Sequence, residues 1–155
     1  HWEIYSSYRT VCFGNKLKTV SLTKNTKLTA INLSKNSLSG TLDLSKCTSL
    51  QTVRYSNNSL TKVTMPSKKY LKNLDYIDAS YNKFTTQTNA GLNIGDSEAL
   101  PNLSEVEPSH NAITSFNWPD LKESWICEII RSLHWHYPMR QKDVRQHHFS
   151  LMEIH

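Results

Sequence analysis

The chain has 155 residues and a mass of 17.9 kDa, enough for one domain. Apolar residues make up 37%, which suits a thin, elongated fold, and no apolar run approaches the ~20 residues of a membrane-spanning helix. The net charge is +5 and the pI about 9.1; half of the basic excess is diffuse, so a nucleic-acid partner is possible in principle but not implied.

The chain begins with His1 rather than Met, as a processed or truncated chain would. Its opening, "HWEIYSSYRTVCF", is aromatic and β-branched. Residues 1–16 are therefore expected to form an N-terminal cap of one or two irregular strands. From Leu28 the chain repeats itself. "LTAINLSKNSL" (28–38), "LQTVRYSNNSL" (50–60), "LDYIDASYNKF" (74–84) and "LSEVEPSHNAI" (103–113) share five positions in register. Position one is Leu28, Leu50, Leu74 and Leu103, and position four is Ile31, Val53, Ile77 and Val106. Position six is Leu33, Tyr55, Ala79 and Pro108, and position eleven is Leu38, Leu60, Phe84 and Ile113. Position nine is always asparagine: Asn36, Asn58, Asn82 and Asn111. "LKTVSLTKN" (17–25) fits the first nine positions, but starts only 11 residues before Leu28.

This pattern resembles the leucine-rich repeat, L-x-x-L-x-L-x-x-N-x-L, over roughly residues 17–118. The match is similar to bacterial secreted and surface arrays of the Bacteroidetes and internalin kinds. The resemblance implies a β-rich (α/β repeat) solenoid of four to five repeats, with a curved parallel sheet on its concave face. The residues agree with that picture. Positions four and six lie on one face of a short strand, and positions three and five on the other. An asparagine closing each strand can bond backbone groups of the adjoining turn, and stacked copies would make an asparagine ladder. One copy cannot bury its apolar face alone, and stacking does so.

A second pattern alternates with the first. "VSLTKNTKL" (20–28), "LDLSKCTSL" (42–50) and "VTMPSKKYL" (63–71) each carry an apolar-x-apolar pair and then a polar turn, and "FNWPDL" (116–121) looks like a fourth. Each turn of the solenoid should therefore hold two extended pieces. Residues 85–102 form a long polar insertion, expected to bulge from the convex side. Pro108 removes a backbone donor, so its strand should be imperfect or near an edge. Leu121, Trp125, Ile126, Ile129, Ile130 and Leu133 have helical spacing after Pro119 and Asp120, which predicts a capping helix from about 120 to 134. The whole C-terminal unit, 119–155, reads as that helix followed by a basic, His-rich tail.

Little in the chain suggests catalysis. There is no G-x-S-x-G, H-E-x-x-H or phosphate-binding G-x-x-x-x-G-K, and no cofactor is implied. His134, His136, His147, His148 and His155 match no zinc spacing and read as solvated tail residues, so no metal site is assigned. Cys12, Cys47 and Cys127 are odd in number and far apart, without C-x-x-C. Reduced, partly buried thiols are expected, with a Cys12–Cys127 bridge as the alternative.

The columns facing away from the core remain. Position three is Ala30, Thr52, Tyr76 and Glu105, and position five is Asn32, Arg54, Asp78 and Glu107. Position seven is Ser34, Ser56, Ser80 and Ser109, and position eight is Lys35, Asn57, Tyr81 and His110. The serines look structural. The others run from basic to acidic with two tyrosines between them, and tyrosines anchor partners well. The expected binding face is Arg54, Tyr76, Asp78, Tyr81, Glu105 and Glu107. The resemblance implies a non-enzymatic module at a cell surface or secreted, binding a protein or glycan. The alternatives are a self-associating unit of a surface fibre, and adhesion to an acidic surface through net charge. Asn32, Asn57 and Asn102 each begin an N-x-S sequon; glycans at the first two would block the concave face.

Overall fold

A computed structural model describes residues 2–3, 8–92, 100–117 and 148–150. It is β-rich and forms a parallel β-solenoid. The strands are β1 (Trp2–Glu3), β2 (Arg9–Val11), β3 (Val20–Ser21), β4 (Ala30–Asn32), β5 (Ser39–Asp43), β6 (Thr52–Arg54), β7 (Ser59–Thr64), β8 (Tyr76–Asp78), β9 (Glu105–Glu107), β10 (Ser115–Asn117) and β11 (His148–Ser150). The main sheet has five parallel strands in the order β2-β4-β6-β8-β9. Its register puts position three on position three throughout: Ala30 on Thr52, Thr52 on Tyr76, Tyr76 on Glu105.

The core lies behind this sheet. At position four Ile31, Val53, Ile77 and Val106 are buried, as are Leu28, Leu50, Leu74 and Leu103 at position one. At position eleven Leu38, Leu60, Phe84 and Ile113 close the other side. Bulk alternates down position six. Tyr55 is large and its neighbour Ala79 is small, and Tyr55 packs edge-on against Phe84 at 6.0 Å. Its hydroxyl donates to the Ala90 carbonyl at 2.6 Å, so the buried ring carries no orphaned polar atom.

The second extended piece forms its own short parallel pairs, β5 with β7 and β1 with β3. This explains the 11-residue offset of "LKTVSLTKN". Val20 and Ser21 lie on the second piece, not in the main sheet. The β5–β7 register shifts after Gly40, where β7 carries one extra residue, Thr61, whose hydroxyl bonds the Gly40 carbonyl at 3.2 Å. Behind the second piece, a turn returns the chain to position one. Its buried column is Asn25, Cys47, Leu71 and Leu100.

Two features differ from the reading of the sequence. β2 pairs with β4 in full register, Thr10 on Ile31, so the repeat begins earlier than the five-position pattern indicates. Residues 8–17, "YRTVCFGNKL", form the extra copy: Thr10 stands at position four, Cys12 at six, Asn15 at nine and Leu17 at eleven. The insertion also does more than bulge. Ala90 and Leu92 are fully buried, and the Val63 amide donates to the Asn89 carbonyl at 2.7 Å. Gly91 sits at φ +72°, where a Cβ would lie 3.0 Å from Met65 and 3.2 Å from Val63. The first part of the insertion therefore supplies core where the third and fourth turns would otherwise be thin.

β9 is the last strand of the sheet, and Pro108 follows it. In every earlier copy the position-six amide donates across to the next strand: Cys12 to Asn32, Leu33 to Arg54, Tyr55 to Asp78 and Ala79 to Glu107, at 2.8–3.0 Å. Proline lacks that hydrogen. The expected capping helix, 120–134, lies outside the described residues. So does Cys127, while Cys12 and Cys47 are free thiols. Of the tail, His148–Ser150 forms β11, antiparallel to β10. Among the described residues no helix is long and apolar enough to cross a membrane.

Candidate functional site

The asparagines come first, because they hold the frame on which the variable residues stand. Asn82 is buried, and its side chain makes four bonds. Its Oδ1 accepts from the Leu60 amide at 3.1 Å, and its Nδ2 donates to the carbonyls of Tyr55, Ala79 and Ser80 at 3.0–3.2 Å. Asn36, Asn58 and Asn111 repeat this set one turn earlier or later. Each amide thus ties its own turn to the preceding one.

These bonds surround an unusual backbone. Position eight is left-handed in every copy: Lys35, Asn57, Tyr81 and His110 have φ of 53–56°, and Gly14 has 73° in the extra copy. Only glycine and asparagine adopt this conformation cheaply; other residues cost about 1 kcal/mol. The conformation turns the chain sharply after position seven. The serines expected on the exposed face are consequently buried, at 4–9% exposure. Ser56 donates to Ser34 at 3.0 Å, and Ser80 donates to the Asp78 carboxylate at 2.6 Å.

The outer face of the sheet carries positions three and five. From β2 to β9 it presents Arg9 and Val11, Ala30 and Asn32, Thr52 and Arg54, Tyr76 and Asp78, then Glu105 and Glu107. Arg54 lies over the Tyr76 ring, its guanidinium carbon 4.6 Å from the centroid. Burial, and then the neighbouring Asp78 carboxylate, raise the Tyr76 pKa above its ordinary value; the bond from Arg54 opposes them. Asn32 and Asp78 each accept the amide two residues on, at 3.0 and 3.1 Å, which fixes both side chains at the strand end. Beside the sheet, Tyr81 and His110 stack face to face with centroids 3.9 Å apart.

Of the six expected face residues, Arg54, Tyr76, Asp78, Glu105 and Glu107 line the outer face of three adjacent strands. Tyr81 stands apart from them, on the left-handed turn. The sequence reading missed Arg9 and Val11, which join the same face from the extra copy. The "GNKL" of 14–17, matching the "x-N-x-L" of later copies, was the available signal. No protein-family model matches this chain, and no curated protein is significantly similar to it.

Among the described residues no group of three His, Cys, Asp or Glu is arranged to hold a metal ion. The side chains of the tail histidines lie outside the described residues. Cys47 is fully buried, and burial followed by the charge of Asp43 pushes its thiol up to about 11. A thiol so placed is a packing residue, not a nucleophile.

Proposed function

We propose that this chain is a leucine-rich repeat binding module, without enzymatic activity, that is secreted or held at a cell surface. It recognises a protein or glycan across the outer, concave face of the five-stranded sheet. One observation carries this reading. Over the four copies from Leu28, positions one and nine are invariant and positions four and eleven stay apolar, while positions three and five differ on every strand, from Arg54 to the acidic Asp78, Glu105 and Glu107. A fixed scaffold with a changing surface is what a recognition face requires.

The test uses arrays of glycans and of peptides, probed with the full chain and with Tyr76→Ala/Tyr81→Ala. The reading expects ligands that the wild type retains and the double variant loses, with unchanged circular dichroism. Ligands held equally by both would move recognition away from this face.

A second reading, a self-associating unit of a surface assembly, is favoured by the first turn. Val11 on β2, the first strand of the sheet, and Tyr8 and Phe13 beside it are 69%, 66% and 50% exposed there. Light scattering across a hundredfold concentration range separates the two. A constant mass near 17.9 kDa supports the binding module, and growth supports assembly.

A further inference from the structure

The charge of this chain is divided very unevenly. Residues 8–72 contain twelve Lys and Arg against a single acid, Asp43. The carboxylates of the main sheet gather on its last two strands, at Asp78, Glu105 and Glu107. Six of the lysines fall on one structural element, the turn that returns the chain from the second extended piece to position one. They are Lys24 and Lys27 in the first turn of the solenoid, Lys46 in the second, and Lys68, Lys69 and Lys72 in the third. All but Lys68, which is half-buried, are exposed.

The turns are stacked and tied together. The hydroxyls of Thr48 and Ser49 donate to the Thr26 carbonyl at 3.3 and 3.2 Å, and Asn102 donates to the Lys72 carbonyl at 2.8 Å. Strand stacking spaces such turns by about 4.8 Å, so the lysines form a ridge roughly 10 Å long over three turns. Asp43, the only acid of residues 8–72, is turned back onto the Ser45 amide at 2.9 Å. Its pKa is lowered first by the Ser45 bonds and only last by Lys46. Thr26, Thr48, Ser45, Ser49 and Ser67 supply hydroxyls between the charges. Tyr70 is exposed on the same edge, with the Lys69 ammonium 4.8 Å from its ring centre.

We infer that this lysine ridge is a second binding surface, separate from the sheet face, and that its ligand is an acidic polysaccharide. The ridge holds ammonium groups and no arginine, so it offers point charges to scattered carboxylates or sulfates, not bidentate forks to phosphates. It has one aromatic ring where a single-stranded nucleic acid needs a series of them. Interleaved hydroxyls and an exposed tyrosine suit sugar rings. The acidic end of the sheet repels the same ligand, which confines it to the ridge.

The experiment measures binding of the full chain to dextran sulfate, polygalacturonate and oligothymidylate by calorimetry at about 0.1 M salt, where charges more than roughly 10 Å apart are screened. Lys46→Gln/Lys69→Gln/Lys72→Gln removes three ridge charges. Lys16→Gln/Lys35→Gln/Lys83→Gln removes three on the asparagine edge and serves as the equal-charge control. The ridge variant should lose roughly tenfold in affinity for one or both polysaccharides, and the control less than about threefold. Preference between dextran sulfate and polygalacturonate then assigns sulfate or carboxylate as the recognised group. The polysaccharide should also raise the melting temperature of the wild type, by binding the folded state and relieving lysine repulsion. Equal losses in the two variants, equal or tighter binding of oligothymidylate, or no binding at all would each overturn the inference. Tyr76→Ala should leave this binding unchanged, so failure here is distinct from failure at the sheet face.

Discussion

The first turn of the solenoid and the third are built to the same plan, with very different care. In the third, both amide atoms of Asn58 bond the preceding turn, Val53 and Tyr55 are fully buried, and the Tyr55 hydroxyl has a partner. In the first, Thr10 stands in the position-four column and its buried hydroxyl has no partner among the described residues. Asn25 occupies a column that is otherwise Cys47, Leu71 and Leu100, and both its amide atoms are buried without partners among the described residues. Among the described residues, Asn15 makes one exposed bond, to the Phe13 carbonyl at 3.3 Å. A repeat residue is constrained by the turns on either side of it. An end turn has fewer neighbours, so its letters drift while its backbone still follows the register.

The sharpest test of that comparison is the ladder itself. Asn82→Ala should cost about 3 kcal/mol, because it strips partners from a buried amide and from carbonyls of two turns. Asn15→Ala should cost less than about 0.5 kcal/mol. Urea denaturation of both variants measures this, and similar losses would mean that the ladder does not strengthen inward. Next come the misplaced polar residues. Asn25→Leu should stabilise the chain by about 1–2 kcal/mol and Thr10→Val by about 1 kcal/mol, since each removes an unsatisfied buried group. The reverse change in the third turn, Val53→Thr, should destabilise by a similar amount; three losses would erase the contrast.

A pH titration distinguishes the turns in another way. Burial raises the pKa of both Cys47 and Tyr55 above their ordinary values of 9.0 and 10.0. The folded chain therefore holds these protons longer than the unfolded chain. The Cys47 contribution to stability is complete below about pH 9 and is lost as the pH rises through 11, and that of Tyr55 begins to fall only above about pH 10. Cys47→Ala should flatten the fall in urea midpoint between pH 8 and 11, and an unchanged slope would refute the assignment. The smallest effect concerns the left-handed turn. Lys35→Asn should stabilise by about 0.5–1 kcal/mol, while Asn57, already suited to that backbone, gains nothing from change to glycine.

Much of the fold was readable from periodicity. The five fixed positions mark the strand, the ladder and both sides of the core, because burial and hydrogen bonding act identically on each copy. The extra copy at 8–17 was hidden because Thr10 and Cys12 replace the expected aliphatic residues and Phe13 replaces the buried serine. The burial of the serines depended on a left-handed residue at position eight, and Lys35, Tyr81 and His110 give no hint of that conformation. On the sheet face, the strand alternation located Arg54, Tyr76, Asp78, Glu105 and Glu107. Nothing in the letters announced that Arg54 would lie on Tyr76, since that contact joins neighbouring strands 22 residues apart in sequence.

Pro108 has a consequence for how such a molecule can be lengthened or shortened. A stack whose layers touch only their neighbours is modular, and an added layer need only match the two it separates. A duplicate of residues 28–49 placed before Leu50 meets that condition on both sides. The same cassette placed after position 108 does not, because the nitrogen that should donate to the newcomer belongs to the proline ring and carries no hydrogen. One missing hydrogen thus gives the array a direction: it can be edited from within, and it has a built-in full stop at one end.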